Sequence, residues 1–177
     1  VINIITSKNN NSNIVIGTGR DETNKIGINK SISYSSHKLY MNYMKINTDG
    51  YKAKVSSTKN HGYENQNLNI DYKYNYDNNN IELNLYQSDG NTEYDSSGSN
   101  LNQDHKDYHA KISWSKRYDD SNTKMIFIDK ENKIDQKGVS AIDYTHTKNN
   151  ILTIEKNYYN LLNANTLFGF TYTDEAL

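Results

Sequence analysis

The sequence predicts an all-β chain from three observations. Apolar and polar residues alternate with period two through most of its length, no stretch carries a convincing helical period, and there is no proline. An internal proline would remove a ladder donor, so its absence suits uninterrupted hydrogen-bonded strands. Only 34% of the 177 residues are hydrophobic, and the mean hydropathy of -0.97 is low for a soluble globule of this length. With 16 Tyr against 3 Phe and 1 Trp, the aromatic content is almost all amphipathic ring, apolar in body and polar at the tip. Such rings suit half-wet strands and membrane interfaces.

The same composition excludes several classes. No cysteine means no disulfide framework and no thiolate metal site. A formal net charge of -1, with no long like-charge run, gives no electrostatic case for nucleic-acid binding. No stretch approaches the roughly 20 apolar residues of a spanning helix, whereas a transmembrane strand needs only about 9 to 11 alternating ones. The chain opens on Val1-Ile2-Asn3-Ile4-Ile5-Thr6, densely apolar, with neither a start methionine nor a secretory signal, and is expected to be a piece of a longer protein.

Taken in order, residues 13–19 form the first expected strand after that opening. In residues 26–34, Ile26, Ile28, Ile32 and Tyr34 share one face against Gly27, Asn29, Ser31 and Ser33, with Lys30 intruding as a blemish or a bulge. Residues 39–46 follow with muddier alternation. The clearest strand comes next, with Leu68, Ile70, Tyr72, Tyr74 and Tyr76 opposite Asn67, Asn69, Asp71, Lys73 and Asn75. Ile81, Leu83 and Leu85, then Tyr108, Ala110, Ile112 and Trp114, repeat the pattern. Residues 124–128 and 152–158 are further strands, and Phe168, Phe170 and Tyr172 alternate with Gly169, Thr171 and Thr173 near the end.

Short turns rich in Asn, Asp and Ser fall at residues 35–37, 77–80, 119–122 and 163–165. Long hydrophilic segments, 47–64, 87–107 and 129–150, alternate with them and are expected to be loops. Long loops at one end and tight turns at the other organise an outer-membrane barrel. Alternation alone fits a soluble β-sandwich as well, and that alternative stays open at this level.

Beyond these patterns, the chain resembles the TonB-dependent outer-membrane receptors along its whole length. Residues 1–6 are similar to the closing segment of that family's plug. Residues 14–20, 25–34 and 39–51, the last running into Asp49-Gly50-Tyr51, resemble its first three barrel strands. Residues 67–72 and 81–86 resemble the next pair, and residues 167–175 its Gly-x-x-Tyr-x-x-Glu strand. The resemblance implies that residues 1–8 end a plug domain and residues 9–177 begin an antiparallel up-and-down transmembrane β-barrel. About nine strands would be present of the family's twenty-two. It further implies a receptor in the outer membrane of a Gram-negative bacterium, importing a metal chelate of siderophore, cobalamin or haem type. Its partners would be outer-membrane lipid and a TonB-type energy-coupling protein, the latter acting through a segment this chain does not contain. A soluble or surface-exposed all-β binding or adhesion module is the alternative, and a passive porin-like or autotransporter barrel a third reading that the plug-like opening disfavours.

Neither reading involves covalent catalysis. Ser, His and Asp occur without a Gly-x-Ser-x-Gly or comparable nucleophile turn, so the chain is not expected to be an enzyme. Ligand contacts are expected from Asp49, Tyr51 and Tyr63 in one long segment and from Asp89, Glu93, Tyr94 and Asp95 in the next, where rings stack and carboxylates make polar contacts. Residues 91–95 resemble an extracellular-loop segment of the cobalamin receptors. That likeness implies a calcium ligand at Asp95, with Asp89 and Asp49 as further oxygen donors. His105 and His109 have ligand-like spacing but no evident third partner. Trp114, Tyr34, Tyr76 and Tyr108 are expected to be interface rings.

Overall fold

The computed structural model describes residues 12–52, 55, 59–96, 99–138, 143–161 and 164–177, with backbone alone at 95–96, 99–100 and 143. The expected plug strand, residues 1–6, lies outside them. Among the described residues there is no helix. Nine strands run in sequence: β1 (Asn13–Thr18), β2 (Asn24–Tyr34), β3 (His37–Tyr51), β4 (His61–Tyr76), β5 (Asn79–Ser96), β6 (Ser99–Arg117), β7 (Ser121–Lys137), β8 (Asp143–Leu161) and β9 (Ala164–Ala176). They form one open antiparallel up-and-down sheet in the order β1 to β9.

All nine expected strands are present, and three of the short turns stand where they were expected, between β2 and β3, β4 and β5, and β6 and β7; of the fourth, expected at 163–165, residue 163 lies outside the described residues and 164–165 already belong to β9. Ser35 and Asp77 open two of them with φ of 52° and 49°, a left-handed conformation that Asp tolerates through its short polar side chain. Lys30 is no bulge. It pairs in register with Met41, so a lysine does sit in the apolar row of β2.

The long loops expected at 47–64, 87–107 and 129–150 are corrected by the structure. β3 continues to Tyr51 and β4 starts at His61, β5 and β6 meet at Ser96 and Ser99, and β7 and β8 reach Lys137 and Asp143. These segments hide from a hydropathy pattern because both of their faces are polar. Backbone pairing does not require an apolar face, and cross-strand ion pairs such as Lys137 to Asp104 at 2.7 Å and Lys45 to Glu64 at 2.5 Å line the ladders instead.

Among the described residues each strand packs beside its sequence neighbours alone, so the sheet is a single layer. Its two faces differ sharply. Register places Ile16, Ile26, Met41, Ile70, Leu83, Ile112, Phe127, Ile154 and Phe170 all on one face, as a belt crossing every strand. That face is open: Ile16 is 77% exposed, Phe170 60% and Ile112 50%. Among the described residues only one hydrophobic side chain, Leu101, is buried, while Asn65, Ser88, Ser113 and Ser121 are buried polar groups. The polar face is therefore the better-covered one, the reverse of a soluble protein's arrangement.

The belt runs obliquely to the hydrogen-bonded rows. The row that holds Ile26 on β2 runs through Lys45, Gln66, Asp89, Lys106 and Lys133 to His146 on β8. On β8 the apolar residues begin only at Leu152, about six residues or ~20 Å further along the strand. The short turns step in the same direction. Asn75 N donates to Ser36 O, Arg117 N to Asn78 O and Tyr159 N to Asp120 O, so each turn is overshot by the following hairpin. The six strand spacings from β2 to β8, about 4.8 Å each, cover ~29 Å, which gives the belt a slope of roughly 35° against the rows.

Candidate functional site

At the long-hairpin end, β3, β4 and β5 enclose a cleft of about 500 Å³ lined by Asp49, Tyr63, Glu64, Asn91 and Glu93 among others. Its shape depends on a bulge between Thr48 and Tyr51. Gly50 adopts φ +66° there, and a Cβ on it would lie 1.7 Å from the carbonyl oxygen of His61. Thr48 Oγ1 fastens the bend: it accepts from Gly50 N at 3.1 Å and donates to Asp21 O at 2.8 Å.

Glu93 is the best-held carboxylate of this cleft. It accepts from Gly62 N at 3.1 Å and from Lys59 Nζ at 3.2 Å. The backbone bond from Gly62, more than the lysine, holds its carboxyl below the usual carboxylate range, so it is an anion at neutral pH. With Glu64 paired to Lys45, Glu93 to Lys59 and Asp49 also in the lining, the cleft suits a polar ligand that both donates and accepts hydrogen bonds.

Of the seven expected contact residues, the structure brings Asp49, Tyr63 and Glu93 to this one cleft. All stand on strands and not in loops. Tyr51, 69% exposed, does not line it. Asp89 lines a separate groove with Lys106, Tyr108, Glu131 and Lys133, and accepts from Gln87 Nε2 at 2.7 Å. Tyr94 is paired with Leu101 on β6. The side chain of Asp95 lies outside the described residues. Asp49 and Asp89 do not share a cleft, and among the described residues no group of three His, Asp or Glu is placed to hold a metal ion.

A second cavity, about 520 Å³, opens on the polar face over β2 to β6. Lys38, Asp71, Lys73, Glu82, His109 and Lys111 project into it. Lys73 pairs with Glu82 at 2.6 Å, and Asn84 Nδ2 donates to Asp71 at 2.8 Å and to Asn69 at 3.1 Å. His109 Nε2 is buried in the cavity wall with no hydrogen-bond partner among the described residues. His105 instead bonds Asn65 at 3.0 Å, its ring resting where Gly90 leaves space, so the two histidines serve different neighbourhoods.

The cavity residues were visible as the wet partners of the apolar alternation, Asp71 and Lys73 in β4 and His109 and Lys111 in β6. Nothing in the sequence marked them as meeting, since their proximity comes from strand register. The expected interface rings do lie on the belt face. Tyr34 and Tyr76 stand at its short-turn margin, Tyr108 stands at the other, and Trp114 Nε1 donates to Asn79 Oδ1 at 3.2 Å. No protein-family model matches the chain, and no curated protein matches it.

Proposed function

We propose that this chain is part of the transmembrane barrel of an outer-membrane receptor of the TonB-dependent type, which imports a metal chelate. One observation carries the membrane half of this reading: a single-layer sheet with its apolar residues on the open face, in a belt oblique to the strands. A lipid slab is flat, so strands that cross it tilted must shift their apolar segments steadily along the register. The slope of roughly 35° is close to the 35–45° tilt of membrane barrels. The nine residues from Leu68 to Tyr76 match the ~9–11 that a tilted spanning strand needs. A soluble sandwich buries its inner face against a second sheet, and no second layer occurs among the described residues.

The receptor half rests on the order of resembling segments and on polar long hairpins around the cleft of Asp49, Tyr63 and Glu93. In this role the long hairpins capture the chelate beyond the apolar band, where register puts Glu64, Asn91 and Glu93 on the belt side, and the opposite, polar face lines the lumen. The test uses the full-length protein. It should require detergent for solubility, retain strand content on heating in mild detergent, and bind an iron chelate or cobalamin with an affinity that Glu93→Gln weakens. A folded monomer in detergent-free buffer would remove the membrane reading, and a membrane-inserted protein that binds no chelate would remove the receptor reading alone.

A further inference from the structure

At the short-turn end of β6, β7 and β8 the belt is bordered by a cluster that ligand capture does not use. Lys116 on β6, Thr123 on β7 and Lys156 on β8 share one row on the belt face. The row above them, on the belt side, is Trp114, Met125 and Ile154; the row below holds Tyr118 and Tyr158. Lys156 Nζ lies 4.2 Å from the centre of the Tyr118 ring and 5.3 Å from that of Tyr158, and Lys116 Nζ lies 5.2 Å from the Tyr118 ring. Both ammoniums thus reach away from the apolar rows toward the turns, as a lysine at a membrane boundary does.

Neither lysine has a carboxylate within ion-pair distance among the described residues, although most other lysines on this face outside the belt do. The carboxylates of the adjoining turn, Asp119 and Asp120, form no pair with them, and Asp120 accepts instead from Ser121 Oγ at 2.9 Å. The Thr123 hydroxyl between the lysines makes no hydrogen bond to any described residue. Two unpaired cations and a free hydroxyl, held by rings and edged on one side by apolar side chains, complement a group with an anionic head and an apolar tail.

We propose that Lys116, Thr123 and Lys156 bind the phosphate of an anionic phospholipid whose acyl chains lie along Trp114, Met125 and Ile154. The inference rests on the membrane reading above. Two positive charges at a headgroup phosphate, at about 1 kcal/mol each, enrich anionic lipid by roughly 30-fold at the site. A zwitterionic headgroup brings its own cation beside the lysines and gains less.

Trp114 lies one row from the lysines and reports on the site directly. The full-length protein is reconstituted in phosphatidylcholine vesicles with a minor fraction of acyl-brominated phosphatidylglycerol, or with the same fraction of brominated phosphatidylcholine. The quenching read is the part of the fluorescence that Trp114→Phe removes. Brominated phosphatidylglycerol is expected to quench well beyond brominated phosphatidylcholine. The excess should vanish in the double variant Lys116→Gln with Lys156→Gln and survive the two Lys→Arg changes. Equal quenching by the two lipids in the unaltered protein overturns the proposal without recourse to any variant. Loss of the excess on adding water-soluble glycerophosphoglycerol would assign the site to a free phosphate ester and overturn it too. Quenching by neither lipid means that Trp114 is not in lipid, and then the membrane reading itself fails.

Discussion

Ile112 offers the most direct test of what the apolar face meets. It stands mid-belt on β6, between Leu83 on β5 and Phe127 on β7, and is 50% exposed. Its neighbours therefore cover half of a side chain whose full burial is worth about 1.5–3 kcal/mol, which leaves ~1 kcal/mol to the medium. Replacing it with arginine in a bilayer should cost about 2–4 kcal/mol at this depth and only ~0–1 kcal/mol at the margin, where Tyr108→Arg is the control. A cost of ~3 kcal/mol lowers the folding equilibrium by roughly 100-fold. Ser33→Arg, which points into the polar cavity near Asp71 and Glu82, should cost little. The informative partner is Ile112→Phe. A packed protein core would charge ~1–3 kcal/mol for the added volume, whereas fluid acyl chains rearrange and should charge under ~0.5 kcal/mol. Guanidinium titration of the full-length protein refolded into thin-bilayer vesicles, followed by the gel shift of the folded barrel, gives each value. If Ile112→Phe is as damaging as Ile112→Arg, the face packs against protein and the argument from the open belt collapses.

Four further outcomes follow from single features. Lys30→Leu should raise stability in lipid by ~1–3 kcal/mol, read in the same titration, because Lys30 breaks an apolar row between Ile28 and Ile32. Gly50→Ala should cost about 1–3 kcal/mol locally and free the end of the β3–β4 hairpin, since its Cβ has no room beside His61; faster amide exchange at Gly50 and Gly62 checks this. Glu93→Gln loses the anion that Gly62 N and Lys59 hold, and should accelerate exchange at Gly62 while leaving the belt strands unchanged. Asp104 is held below the ordinary carboxylate range first by Lys137 and then by Asn91. A depressed folded-state pKa stabilises above the unfolded value of about 3.9 and is lost as pH falls through the folded one. Protease nicking at the tip of the β7–β8 hairpin should therefore stay flat from neutral pH down to about 5 and rise only below about 4.

The nine strands were legible because in each of them one face is apolar, and alternation is the signal that such a face leaves. Leu68 to Tyr76 is the clearest instance. The long hairpin tips were misjudged as loops for the same physical reason. From Gln87 to Asp107 nearly every residue is polar, Leu101 and Tyr94 excepted, so no period distinguishes a paired strand from a coil. The cleft was partly foreseen. The chemistry of Asp49, Tyr63 and Glu93 is visible in the sequence, but the bulge at Thr48 and Gly50 that gathers Asp49 and Tyr63 is a backbone event. The polar-face cavity was not foreseen, since Lys38, Lys73 and Lys111 come from three strands and meet only through register.

Register also bears on two readings that composition leaves level. A sandwich and a membrane barrel both need one apolar residue in two along each strand, so strand-by-strand patterning weighs them equally. They differ in how the apolar segments of neighbouring strands are offset. A second sheet twists with its partner and can follow an apolar patch of any outline. A bilayer cannot twist, and it forces a constant offset per strand that the turns at the inner rim must share. Here the belt margin moves by about six residues from β2 to β8, and the turns at Ser36, Asn78 and Asp120 climb with it. On the proposed membrane reading, the shared offset is the depth scale on which the Ile112 and Tyr108 substitutions should differ.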